Sequence, residues 1–318
     1  MKFITFEELN NCLYANLGRI PRDVDLVVGI PRSGTMVANL LALYLNLPFL
    51  DVPSFCDKKD PASGNTRKCR NWIRNSQEAK KILLVDDSIS SGRAMKEAVS
   101  KLRGSGYEGQ IVTLAVYALA VTCKMVDLYF KRCEQPRMFE WNYMHHWALE
   151  YTCVDMDGVL CEDPRFLEND DGKRYRQFLQ EAKPKFLPTQ KVGAIVTCRL
   201  EKYRQETENW LKRYGVEYGE LIMLDLECGR DRWKEGFSHG KFKGEIYKQS
   251  NFLFFLESDY RQALEICRCS GKEVFSIENR QLIRPENLAS RLLVLKSNWR
   301  ITWKRVVKKL MNKLDYVK

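Results

Sequence analysis

Ile82-Leu83-Leu84-Val85-Asp86-Asp87-Ser88-Ile89-Ser90-Ser91-Gly92-Arg93 is the stretch that decides the fold of the first half of this chain. Its first four residues are a continuous apolar run, short enough to form a strand buried on both faces. Ala94-Met95-Lys96-Glu97-Ala98-Val99 then predicts a helix. A strand, a Ser/Gly loop and a helix N-terminus make an anion cradle. Backbone N–H groups and the helix dipole converge there, and Ser88, Ser90 and Ser91 add hydroxyl donors. Asp86 and Asp87 stand at the cradle's edge. Carboxylates repel an anion, but they accept hydrogen bonds from sugar hydroxyls and bind hydrated Mg²⁺. A phosphate cradle beside an acidic pair is what a phosphorylated ribose requires. An acidic pair after an apolar strand is also a common surface turn, so the flanking sequence has to decide.

The same order recurs upstream. Val27-Val28-Gly29-Ile30-Pro31-Arg32-Ser33-Gly34-Thr35 lies between a predicted strand and a predicted helix over 36–45. With both loops present, residues 1–148 resemble the type I phosphoribosyltransferases. The resemblance implies a Rossmann-like α/β domain that binds 5-phosphoribosyl 1-pyrophosphate (PRPP) with Mg²⁺. It implies that Arg32, Ser33 and Gly34 form the pyrophosphate loop. It further implies that Asp86 and Asp87 contact the ribose hydroxyls, and that Ser88, Ser90, Ser91 and Gly92 hold the 5-phosphate. Residues 57–81 are polar and rich in Lys and Arg. They match the loop that closes over PRPP in that family, with Arg67, Lys68 and Arg70 as candidates to reach the pyrophosphate.

A second acidic motif lies downstream. Tyr151-Thr152-Cys153-Val154 predicts a strand and leads into Asp155-Met156-Asp157-Gly158-Val159-Leu160. A carboxylate can attack phosphorus, and a second carboxylate two residues on can protonate the leaving oxygen. Both reactants carry negative charge, so Mg²⁺ is needed between them. Further on come Ala194-Ile195-Val196-Thr197, then Lys243, then Phe254-Phe255-Leu256-Glu257-Ser258-Asp259. This order resembles the haloacid-dehalogenase-like (HAD-like) phosphatases over residues 149–289. By that resemblance Asp155 is the nucleophile, Asp157 the acid/base, Thr197 a hydrogen-bond donor to the phosphoryl group and Lys243 its neutralising cation, with Lys241 as competitor. Mg²⁺ would rest on Asp155, the Asp157 carbonyl and one of Glu257 or Asp259. The family's usual Gly-Asp is replaced by Glu257-Ser258, which leaves the third ligand open. A helix over 201–214, a strand over 221–224 and the short connections around them leave no room for a large cap.

Length suits two α/β domains of about 150 residues each, with a join expected near Trp147 to Tyr151. Eleven Cys without paired spacing point to a reducing, cytoplasmic compartment. The N-terminus lacks the apolar segment of a signal peptide. No apolar run approaches 18–20 residues, so no span is expected. The net charge is +11, and +8 of it lies in residues 291–318, with nine Lys/Arg and one acid. There Trp299, Trp303, Val306, Val307, Leu310, Met311 and Leu314 recur at helical spacing. Residues 290–318 are thus expected to form a basic amphipathic helix. It suits peripheral contact with an anionic membrane surface, or docking on its own domain with a solvated basic face. The apolar stripe is not explained by nucleic acid, which is not expected as a partner.

A phosphoribosyl donor site beside a phosphatase suggests phosphoribosyl transfer followed by loss of the 5-phosphate. Nucleotide synthesis keeps that phosphate; glycan assembly has use for its removal. The fusion resembles bacterial enzymes that build ribofuranose into surface polysaccharides, which implies a lipid-linked glycan acceptor at the inner face of the cell membrane. Glu140, Trp141 and His145, within an aromatic stretch, are the acceptor-site candidates, with Glu140 or His145 as the base. Two rivals stay open: a nucleobase phosphoribosyltransferase with a nucleotide phosphatase attached, and a PRPP-sensing regulatory module.

Overall fold

The computed structural model describes residues 1–62, 73–169, 171–226 and 237–288. Arg67, Lys68, Arg70 and residues 290–318, where a helix is expected from sequence, lie outside them. The chain divides into two compact units, Met1–Trp141 and Asn142–Lys318.

The first unit runs β1 (Lys2–Ile4), α1 (Phe6–Asn16), β2 (Leu26–Gly29), α2 (Ser33–Leu45), β3 (Phe49–Asp51), α3 (Val52–Cys56), β4 (Lys81–Ile89), α4 (Arg93–Gly104), β5 (Gln110–Ala118), β6 (Leu128–Arg132) and β7 (Arg137–Phe139). Strands β3-β2-β4-β5-β6 form an all-parallel sheet, and β1 pairs with β7 in a separate parallel ribbon. The apolar run behaves as its composition predicts: Ile82, Leu83, Leu84 and Val85 are all fully buried. Strand periodicity sends alternate side chains to opposite faces. Leu83 and Val85 join the core containing Val27, Leu41 and Leu114, whereas Ile82 and Leu84 join that containing Leu26, Phe55 and Met95. Each fully buried side chain of this kind is worth about 1.5–3 kcal/mol. The strand outlasts its apolar part and carries both aspartates and Ser88.

The second unit opens on two 3₁₀ turns, Tyr143–His145 and Trp147–Tyr151. It continues with β8 (Thr152–Val154), α5 (Lys173–Glu181), β9 (Val192–Leu200), α6 (Arg204–Arg213), β10 (Tyr218–Leu224), α7 (His239–Gln249), β11 (Phe254–Glu257), α8 (Tyr260–Ser270), β12 (Val274–Ser276) and β13 (Gln281–Ile283). The sheet order is β10-β9-β8-β11-β12-β13, parallel except for the β12–β13 hairpin. The join falls a few residues before the position expected from sequence, because the 3₁₀ turns are tied to the second unit by hydrogen bonds. The Thr189 N–H donates to the Met144 carbonyl at 3.0 Å, the Thr152 hydroxyl to that of Ala148 at 3.0 Å. Among the described residues no helix is long and apolar enough to cross a membrane.

Candidate active sites

In each unit the chain leaves one strand, builds the sheet to one side, and returns to pair on the other side of the starting strand. In the first unit the reversal lies between β2 and β4, paired with Gly29 opposite Val85. In the second it lies between β8 and β11, paired with Val154 opposite Leu256. Open α/β sheets bind ligands in the crevice at such a reversal, beyond the carboxyl ends of the strands. Both acidic motifs occupy that place.

At the first reversal the loops after β2 and β4 lie side by side. Gly34 packs so tightly on β4 that a Cβ would stand 2.7 Å from the Val85 carbonyl oxygen and 2.9 Å from Asp86 Oδ1. No larger residue fits there without displacing the acidic pair. Neither N-cap residue, Arg32 of α2 or Gly92 of α4 at φ 77°, caps its helix with a side chain; in the first turns the Thr35 N–H donates to the Ile30 carbonyl at 3.1 Å and the Arg93 N–H to the Ser91 hydroxyl at 3.4 Å. Ser90 and Ser91 are exposed at the start of α4. The Thr35 hydroxyl is buried without a hydrogen-bond partner. Asp87 is 4% exposed. Its Oδ1 accepts from the Ser33 hydroxyl at 2.9 Å and its Oδ2 from the Trp141 indole N–H at 2.8 Å.

Asp86 is half-buried, and its Oδ1 accepts the Asp87 N–H at 2.9 Å. Burial pushes its carboxyl up to about 8, and the charge of Asp87 adds to the shift. Such a group stabilises the fold fully only below its unfolded value near 4, and that stability is lost as pH rises towards 8, because the unfolded chain releases the proton first. Asp86→Asn is therefore expected to melt several degrees above the wild type at pH 8 and to lose that advantage at pH 4. Calorimetry at the two pH values checks it. The same variant is expected to lose PRPP affinity, a trade of function for stability.

Of the three acceptor-site candidates, Glu140 and Trp141 belong to the first unit and His145 to the second. The buried Glu140 carboxylate accepts the Phe6 N–H at 2.7 Å, at the first turn of α1. Trp141 stacks on Phe139 with ring centroids 4.8 Å apart and tilts against Phe6. One face is covered, and its N–H points into the acidic pair. His145 belongs to the second unit, where its exposed ring has Nδ1 3.0 Å from the Thr189 hydroxyl.

In the second unit Asp155 follows β8, Thr197 lies within β9, Lys243 on α7 and Glu257 at the end of β11. Lys243 Nζ is 2.8 Å from Asp155 Oδ2 and 2.8 Å from Glu257 Oε2, and donates to Gln262 at 3.1 Å. Lys241, two residues earlier, is exposed. The ammonium at Asp155 is that of Lys243. Burial alone would pull Lys243 down, but Asp155 and Glu257 outweigh it and hold it raised. Burial and then Glu257 push Asp155 up, with Lys243 pulling back. Two buried carboxylates thus share one ammonium at the base of the site.

Asp155, Asp157, Thr197, Lys243 and Asp259 line a cavity of about 420 Å³, with Asp163, His239 and Glu278 among its other walls. Gly158, at φ 78°, admits Ser258 so closely that a Cβ would lie 2.5 Å from the serine's own. The Ser258 hydroxyl donates to the Asp157 carbonyl at 3.1 Å. Arg199, which no motif singles out, is fully buried and grips Asp157: Nη2 to Oδ1 is 2.6 Å and Nε to Oδ2 is 3.0 Å. It also contacts the Thr207 hydroxyl at 3.3 Å, the Cys161 thiol at 3.3 Å and the face of the Phe178 ring.

The oxygen donors suit a hard cation. No cluster of three or more His, Cys, Asp or Glu among the described residues could hold a metal. A cation at the cavity floor would rest on one or two carboxylates, the Asp157 carbonyl and water, which is how Mg²⁺ is usually held. Glu257 spends one oxygen on Lys243 and the other on Ser258 and the Asp259 N–H. Asp259 caps α8 through Oδ1 and lines the cavity. Of the four candidate metal ligands, Asp155, Asp157 and Asp259 line the cavity and Glu257 does not.

Residues 7–149 match the family model for the phosphoribosyl transferase domain. The chain thus carries a phosphoribosyl transferase-type α/β domain. It is similar to the transcriptional regulator GfcR of Methanococcoides burtonii, 31% identical over 100 residues that cover 31% of this chain and 48% of that protein. It is also similar to the orotate phosphoribosyltransferase of Bacillus subtilis, 26% identical over 121 residues covering 36% and 53%. The chain spans about half the length of these curated relatives. Among solved structures, a purine phosphoribosyltransferase from Pyrococcus horikoshii aligns over 44% of this chain and 92% of its own at 19% identity, with a TM-score of 0.33.

Proposed function

We propose that this chain is a bifunctional enzyme. Its first unit transfers phosphoribose from PRPP to a glycan hydroxyl, and its second, a HAD-like phosphatase, removes the 5-phosphate to leave a ribofuranosyl group. The observation that carries the reading is the contact of Lys243 with Asp155 in a cavity shared with Asp157 and Thr197, in a chain whose other unit is of the phosphoribosyl transferase type.

In the transfer step the N-termini of α2 and α4 hold the pyrophosphate and 5-phosphate, and Asp86 and Asp87 take the ribose hydroxyls. Pyrophosphate leaves C1, and the glycan hydroxyl forms the new C1–O bond and gives up its proton to the departing pyrophosphate. In the second step an Asp155 oxygen attacks phosphorus while Lys243 neutralises charge and Thr197 donates to a phosphoryl oxygen. Asp157 protonates the departing ribose oxygen, then takes a proton from the water that hydrolyses the aspartyl-phosphate. When bound, Mg²⁺ supplies positive charge between nucleophile and phosphate. A lipid-linked acceptor would place the enzyme at the inner face of the membrane, with 291–318 against anionic lipid.

The test is wild-type protein with PRPP, Mg²⁺ and a panel of synthetic glycosyl-lipids and nucleobases, read by mass spectrometry and pyrophosphate release. A ribosyl adduct on a glycan supports the reading. Adducts only on nucleobases would reassign the protein to nucleobase metabolism. PRPP binding without pyrophosphate release would favour a sensor, a reading to which the regulator relatives and the Trp141–Asp87 contact lend weight.

A further inference from the structure

We infer that Trp141 is a built-in occupant of the ribose-hydroxyl site, which the sugar must displace before the acidic pair can bind it. This rests on the PRPP reading of the first unit. Asp87 has both oxygens engaged, Oδ1 by Ser33 at 2.9 Å and Oδ2 by the Trp141 indole at 2.8 Å. A carboxylate has room for about four hydrogen bonds, but at 4% exposure the spare lone pairs of Asp87 face protein rather than solvent. A ribose hydroxyl reaches it only where the indole now sits. Trp141 can leave: it is half-buried, and Phe139 and Phe6 give it a surface to slide along rather than a pocket that encloses it.

The consequence is selectivity for a sugar. A hydroxyl that displaces the indole N–H replaces the bond it breaks, so PRPP gives up the energy of that one bond but leaves no buried acceptor unpaired. A ligand that brings phosphate but no hydroxyl leaves Trp141 in place, or strands a buried carboxylate if it does not. Trp141 is thus a specificity-determining residue, and not a stacking platform for the acceptor.

The test compares Trp141→Phe with wild type by calorimetric titration of PRPP and, separately, pyrophosphate. Phenylalanine keeps the contact with Phe139 and deletes only the donor. The expected result is PRPP affinity tighter by about tenfold, the scale of one hydrogen bond to a charged group, with pyrophosphate affinity unchanged. Unchanged or weaker PRPP binding by the variant would overturn the inference, since it would make Trp141 a bystander or a support for Asp87. Should the variant fail to fold, wild-type protein labelled with 5-fluorotryptophan keeps the question open to measurement. One of its fluorine resonances is expected to shift with PRPP and to stay put with pyrophosphate; no resonance responding to PRPP alone overturns the inference. Wild type that binds no PRPP would sink the functional reading itself, which separates the two failures.

Discussion

Asp155→Asn is expected to abolish phosphate release and to leave a phosphoribosylated acceptor in the reaction. The substitution keeps shape: an amide oxygen can still accept the Met156 N–H that Asp155 Oδ1 accepts at 2.8 Å. It removes the anion that attacks phosphorus. Lys243 retains Glu257 and Gln262 as partners, so the site is not left with a stranded cation. Loss of a nucleophile costs on the order of 10³-fold or more in kcat, beyond the reach of a positional change alone. The transfer step uses residues of the other unit, so pyrophosphate release should continue at the wild-type rate. Mass spectrometry separates the adducts, which differ by one phosphate. Fully dephosphorylated product from this variant would show that Asp155 is not the nucleophile, or that the phosphate is lost elsewhere.

Much of this arrangement is legible in the sequence, and the parts that are not share a cause. Ile82-Leu83-Leu84-Val85 reads as a buried strand because a doubly covered parallel strand needs apolar residues on both faces. The loops after such strands carry their chemistry in consecutive residues, so Asp86-Asp87 and Asp155-Met156-Asp157 stand out from the residue order alone. Contacts between distant segments cannot. The indole of Trp141 reaches Asp87 across 54 residues, and nothing in the local pattern announces it. Glu140, Trp141 and His145 are neighbours in sequence, yet the boundary between the two units, which no residue pattern marks, falls among them. Lys241 and Lys243 are equivalent as residue types at neighbouring positions; only the turn of α7 sends one to Asp155 and the other to solvent. Arg199 is a different case. It stands two residues after Thr197 on the same strand, so the period of two puts both on one face; that signal is present in the sequence and points to the cavity.

Arg199→Lys is expected to slow hydrolysis of a ribose 5-phosphate ester by about 10²-fold while affecting p-nitrophenyl phosphate much less. The guanidinium holds Asp157 through two parallel contacts, 2.6 Å and 3.0 Å, and lysine offers a single point charge in place of that fork. The pair's charge is kept, so the fold survives better than it would with Arg199→Gln, which strands a largely buried carboxylate at a cost of about 3–5 kcal/mol. What lysine loses is orientation. A sugar alkoxide is a poor leaving group and needs a proton from Asp157 as the P–O bond breaks, a contribution of about 10²–10⁴-fold. p-Nitrophenolate leaves without one. A variant that merely loosens the fold would slow both substrates alike, whereas a misdirected acid slows only the ester that depends on it. Asp157→Asn serves as the reference, because it removes the proton outright. If Arg199→Lys reproduces the substrate dependence of Asp157→Asn at smaller amplitude, Arg199 acts through Asp157; equal slowing of both esters would assign it to the core alone.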